Sequence, residues 1–82
     1  MIGEIFLNDD EDWLGRVILF CISGKCMSGR IDSFDWGNQR GKFIISVSFI
    51  EPSYFEDVLI VGNTFTIQEA SRVIVSGKIR RA

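Results

Sequence analysis

Apolar side chains in this chain recur at every second position, and helical spacing is almost absent. From Lys42 to Glu51, Phe43, Ile45, Val47 and Phe49 share one face, while Ile44, Ser46, Ser48 and Ile50 share the other. A period of two is that of a β-strand, whose successive side chains point to opposite sides. Thr64-Phe65-Thr66-Ile67-Gln68 alternates in the same way, between the turn-forming pairs Gly62-Asn63 and Ala70-Ser71. Arg72-Val73-Ile74-Val75 starts a further strand. Gly77 interrupts its β-branched run, as a bulge or a close backbone approach requires.

The remaining strands are predicted at Glu4–Leu7, Arg16–Ile22, Arg30–Phe34 and Val58–Val61. Arg16–Ile22 is nearly continuous in apolar residues, the mark of a strand covered on both sides or strongly curved. Turn signals fall at Ser23-Gly24-Lys25 and in the glycine-bracketed loop Trp36–Gly41, and Pro52 ends the long strand because it lacks an N–H. Ser53–Asp57 is a connection with room for one helical turn. Six or seven short strands with turns between them predict an all-β sandwich or barrel. No amphipathic helix separates the strands, so a parallel α/β sheet is excluded. No linker, repeat or low-complexity tract appears, and residues 1–82 read as one domain.

The net charge of −2 argues against a general nucleic-acid binder, which carries a basic footprint. The charge is unevenly placed. Asp9-Asp10-Glu11-Asp12 is an acidic run, and Lys78, Arg80 and Arg81 make the last strand basic. These are either a solvated loop and a strand edge defended by charge, or a pair of docking patches. With no histidine, imidazole-based catalysis is ruled out, and no phosphate-cradling glycine loop is present. Asp32, Asp35, Glu51 and Glu56 fall on predicted loops and solvent faces. The chain is therefore expected to be no enzyme and to carry no cofactor.

Cys21 and Cys26 are the only cysteines, and without histidine they cannot complete a tetrahedral zinc site, so no metal is expected. The first residues lack a secretory signal, so a cytoplasmic location with reduced thiols is expected. Cys21 reads as a small core residue and Cys26 as part of a turn. No apolar run approaches the ~20 residues of a membrane helix. Phe6, Phe20, Phe34, Phe43, Phe49 and Phe65 read as core. Trp13, Trp36, Tyr54 and Phe55 fall in loops, where an aromatic either anchors a partner or folds over a barrel end.

The tail from Val61-Gly62-Asn63-Thr64-Phe65-Thr66-Ile67-Gln68-Glu69 through Arg72-Val73-Ile74-Val75-Ser76-Gly77-Lys78-Ile79 resembles the closing strands of the third, C-terminal domain of elongation factor Tu. There a Phe-x-Ile strand leads through a glycine turn to a valine-rich strand broken by Gly-x-Val. Glu4-Ile5-Phe6-Leu7 followed by Trp13-Leu14-Gly15-Arg16 is similar to that domain's first strand and loop. The chain departs from the pattern at Gln68, at Ala70-Ser71 and at Met27–Ile31, and it has no nucleotide-binding domain. The resemblance implies a single six-stranded antiparallel β-barrel and a binding role, without GTP hydrolysis. It matches a tRNA-facing arginine at Arg16 and loses a basic position at Gln68.

The leading expectation is a protein-interaction module, of which an immunity or decoy protein of a toxin locus is one form. Its surface would use Asp9, Asp10, Asp12, Trp13, Arg16, Trp36, Arg72 and Arg80. The alternative is RNA binding through Arg16, Arg30, Arg40 and Arg72, as in a translation-related domain. The sequence leaves the oligomeric state and the partner's identity open.

Overall fold

A computed structural model describes residues 1–8, 12–70 and 72–82. The six strands are β1 (Ile2–Phe6), β2 (Val17–Ile22), β3 (Lys25–Trp36), β4 (Lys42–Phe49), β5 (Thr64–Glu69) and β6 (Arg72–Arg81). They close into an antiparallel barrel in the order β1-β4-β3-β2-β5-β6. The period of two sorts each strand. Ile5, Phe20, Ile22, Ile31, Ile45, Phe65, Ile67 and Ile79 are sealed inside, and their intervening neighbours face outward.

Three connections are hairpins. The β2–β3 turn is Ser23-Gly24 alone, and both residues have positive φ (49° and 84°). That is the type I′ geometry whose twist matches the flanking strands. The other two connections join strands on opposite sides of the ring, β1 to β2 and β4 to β5. Each must cross a mouth of the barrel, and each leaves a plug there. Trp13, 4% exposed, closes the mouth beside the end of β1. At the other mouth a 3-10 turn, Pro52–Phe55, delivers Phe55 and then Val58. The Phe55 ring meets Phe49 edge-on at 4.8 Å.

The ring has a topological two-fold: exchanging each strand with the one three later in the chain returns the same order. The sequence shows little of this beyond Ser28-Gly29-Arg30-Ile31 in β3 and Ser76-Gly77-Lys78-Ile79 in β6. These two long strands are shared between neighbours. β3 pairs with β2 over its first half and with β4 over its second, and β6 passes likewise from β5 to β1. Register shifts at Ile31/Ser33 and at Ile67/Gln68 let them bend around the ring.

Several expectations change. Val58–Val61 is not a strand, because Val58 and Leu59 donate their N–H groups to Phe55 O and turn the segment into the mouth plug. Of the two readings of Arg16–Ile22, cover on both sides fails, since Val17 and Leu19 are exposed outside, and the strand is instead part of a closed barrel wall. Phe6 is 56% exposed, because its neighbour Ile5 holds the inward position. Cys21 is not a core residue. It lies between inward-facing Phe20 and Ile22 and so points out, directly opposite Cys26, which is the second residue of β3. The two are joined as a disulfide, where reduced thiols were expected.

Candidate functional site

The β1–β6 ladder starts at Ile2 and reaches only the pair Ile5–Gly77. After Phe6 the chain swings toward the β3–β4 hairpin, where Leu7 N–H donates to Gly41 O at 2.8 Å. β6 therefore runs on from Val75 back to Arg72 with a strand on its β5 side and, among the described residues, none on its β1 side. A cleft of about 370 Å³ opens in this gap. Phe6, Leu7 and Asn8 form one wall, Ile74, Val75, Arg72 and Glu69 the other, and Trp13 and Arg16 complete it.

The tertiary fold thus gathers three of the residues singled out in the sequence, Trp13, Arg16 and Arg72, into one cavity. The Arg16 guanidinium lies over the Trp13 ring, 4.9 Å from its centroid, a cation–π contact that holds both side chains in place. The Trp13 indole N–H is buried without a hydrogen-bond partner among the described residues. An unsatisfied buried donor is costly, typically about 1–3 kcal/mol. Asp12 stands beside the cleft, its carboxylate accepting from Leu14 N at 2.9 Å. Asp9 and Asp10 lie outside the described residues.

Arg80 and Trp36 are placed elsewhere. Arg80 lies near the start of β1, at the opposite end of that strand from the cleft, and its Nη1 reaches Glu4 Oε2 at 3.2 Å. Lys42 Nζ meets the same oxygen at 3.2 Å, and Lys78 sits opposite Glu4 in the ladder. Trp36 ends β3, 72% exposed, with its ring 5.0 Å from that of Phe43. Of the RNA candidates, Arg30 is paired with Asp32 at 2.8 Å, which leaves less of its charge to a phosphate. Arg40 is exposed in the β3–β4 loop.

The shifted carboxylates lie outside the cleft. Hydrogen bonds from Ser48 and then Arg30 hold Asp32 below the usual carboxylate range. The Lys25 ammonium, 2.9 Å away, does the same to Asp57, and its own pKa is raised in return. Among the described residues no three His, Cys, Asp or Glu side chains come together as metal ligands. No helix among them is long and apolar enough to cross a membrane.

No family model, curated protein or solved structure matches the chain. No match therefore ties the chain to the C-terminal domain of elongation factor Tu; of what that resemblance implied, the structure shows the closed six-stranded antiparallel barrel.

The sequence pattern did not disclose the cleft. Phe6, Leu7, Glu69 and Ile74 belong to it, yet each reads locally as an ordinary strand residue. The available signal was the mismatch in strand length, since β6 has ten residues and β1 only five.

Proposed function

We propose that this barrel acts by binding alone, as a protein-interaction module, and that its cleft takes an acidic side chain flanked by apolar ones. The observation that carries this reading is the gathering of Arg16, Arg72 and Trp13 with Phe6, Leu7 and Ile74 around one partly apolar cavity. The Arg72 guanidinium favours a carboxylate, and arginine's planar fork suits it in particular. Phe6, Leu7 and Ile74 supply surface that gains from being covered. An immunity or decoy role is one setting for such a module.

Peptide selection on the intact chain tests the reading. Recovered peptides should be rich in Asp or Glu. Their affinity should fall about tenfold or more on Arg72→Glu, in the range of losing a buried charged contact. Arg80→Glu, at the far end of β1, should leave it unchanged. Equal losses for the two variants would reduce the site to general electrostatics and refute the cleft.

A second reading, RNA binding, is favoured by one feature. Phe6 lines both this cleft and a groove holding Lys78 and Glu4, so the cations of the two regions adjoin around an exposed aromatic ring. Titration with total tRNA at low salt decides it. RNA binding requires an affinity that falls steeply as salt rises.

A further inference from the structure

The Cys21–Cys26 bridge lies on the outer wall, at the end of β2 remote from Trp13. It holds little of the fold together. The two cysteines are direct partners in the β2–β3 ladder, and a bridge that closes a short loop restricts the unfolded chain least. Here that loop is the Ser23-Gly24 turn with its flanking pair, Ile22 and Lys25, which the backbone already forms. Cys26 is exposed and Cys21 half-buried, whereas Phe20 and Ile22, on the other face of β2, are sealed in the core. The bridge is therefore open to a dissolved reagent, while the packing that closes the barrel is not.

The same hairpin grips the plug of the second mouth. Lys25 and Met27 stand on either side of Cys26 and, by the period of two, face away from it. Lys25 Nζ donates to Asp57 Oδ1 at 2.9 Å and to Tyr54 O at 3.3 Å, and it lies 5.1 Å from the centroid of the Tyr54 ring. Met27 Sδ accepts from Glu51 N at 3.2 Å. These contacts hold both ends of the segment that carries Phe55, since the 3-10 turn runs Pro52–Phe55. We propose that Cys21–Cys26 is a reversible redox site, reduced by a low-molecular-weight thiol of the glutathione class, and that its state sets how firmly this mouth is closed. The site stands independently of the cleft, whose walls are built from other residues.

Exchange runs by successive displacements at sulfur. A thiolate attacks Cys26 Sγ, the sulfur of the exposed residue. The Cys21–Cys26 bond breaks, and its electron pair leaves on Cys21 Sγ, which takes up the proton that the attacking thiol released to water. A second thiolate attacks the external sulfur of the mixed disulfide, and Cys26 Sγ leaves and is protonated in turn. Two thiols are oxidised to one disulfide, and the bridge is reduced to two thiols. The barrel stays closed, because its core and its ladders are untouched. The hairpin tip, freed of its covalent tie, frays more often, and Lys25 and Met27 then lose their hold on the plug. A loss that is small against the whole barrel is large against the opening of one mouth, which costs only part of the global stability.

The test uses the intact chain, without denaturant, in millimolar glutathione buffers. Acid quenching, alkylation and intact mass count the thiols. Both cysteines should become alkylated as the reduced fraction of the buffer rises, and oxidised glutathione should restore the bridge. Amide hydrogen exchange then locates the effect. The amides of Tyr54, Val58 and Leu59, bonded to Glu51 O and Phe55 O, should exchange about tenfold faster in the reduced form. The Gly15 amide, bonded to Ile31 O in the β1–β2 connection, should change little. Lys25→Met should bring both states to the faster rate. Cys21→Ser combined with Cys26→Ser should exchange as the reduced form does at every thiol concentration. A bridge that opens only in urea would refute the redox site. Equal acceleration at Gly15 and at the plug would make the bridge a general staple, and unchanged exchange at both would sever it from the mouth; either result overturns the proposal.

Discussion

The Phe65 ring packs against both Gly3 of β1 and Gly77 of β6. A Cβ built on Gly77 would lie 2.5 Å from Glu4 O, 2.5 Å from Phe65 Cζ and 2.8 Å from Ile5 Cγ2. Carbon contacts are optimal at about 3.5–4.0 Å, so a methyl group there intrudes by about 1 Å on three sides. One of the three is the carbonyl oxygen of the neighbouring strand, which cannot move without breaking the β1–β6 ladder. Overpacking of this kind costs about 1–3 kcal/mol, and an immovable neighbour places Gly77→Ala at or above the upper end. A Cβ on Gly3 meets a different obstacle. Its close contacts are Phe65 Cε1 at 2.7 Å and Cζ at 2.9 Å, with Lys78 O at an ordinary 3.4 Å. Shortening the ring should therefore rescue Gly3→Ala and not Gly77→Ala.

Urea unfolding, followed by fluorescence of the buried Trp13, measures both in a double-mutant cycle with Phe65→Leu. Residues in contact couple by about 0.5–3 kcal/mol. The Gly3–Phe65 cycle should show a favourable coupling of about 1 kcal/mol or more, and the Gly77–Phe65 cycle a clearly smaller one. Equal couplings in the two cycles, or a Gly77→Ala variant as stable as the parent, would refute the argument that the β1 carbonyl sets the spacing here.

Trp13→Ala should cost about 3–5 kcal/mol because it empties one mouth of the barrel, whereas Trp36→Ala, at an exposed site, should cost about 1 kcal/mol or less in thermal unfolding. Replacing Cys21 and Cys26 together by serine should lower stability by about 2 kcal/mol at most, since the bridge closes a very short loop that the Ser23-Gly24 turn already holds. Asp32 and Asp57 have depressed folded-state pKa values, so the stability they add is present above the unfolded carboxylate value of about 4 and is lost as pH falls through the lower folded values. Asp32→Asn should flatten that acid limb in pH-resolved unfolding. A limb unchanged in the double variant with Asp57→Asn would dismiss these two groups as its source.

The sequence by itself determined that the chain is all-β and which side of most strands faces inward. Alternation within a strand is a local property, and Phe43-x-Ile45-x-Val47 displays it without reference to any neighbour. Pro52 and Ser23-Gly24 marked chain reversals for equally local reasons. The fate of residues outside strict alternation was decided by tertiary structure. Val58–Val61 looked like a strand because it is apolar, but its Val58 is apolar in order to plug a mouth. Trp13 and Trp36 read alike in the sequence. One is buried and the other exposed, because the β1–β2 connection must cross the barrel and the β3–β4 hairpin need not. Cys21 and Cys26 became partners through hairpin register. The cleft exists because a five-residue strand stands beside a ten-residue one. Which strands become neighbours depends on contacts between residues far apart in the chain, and no local period carries that information.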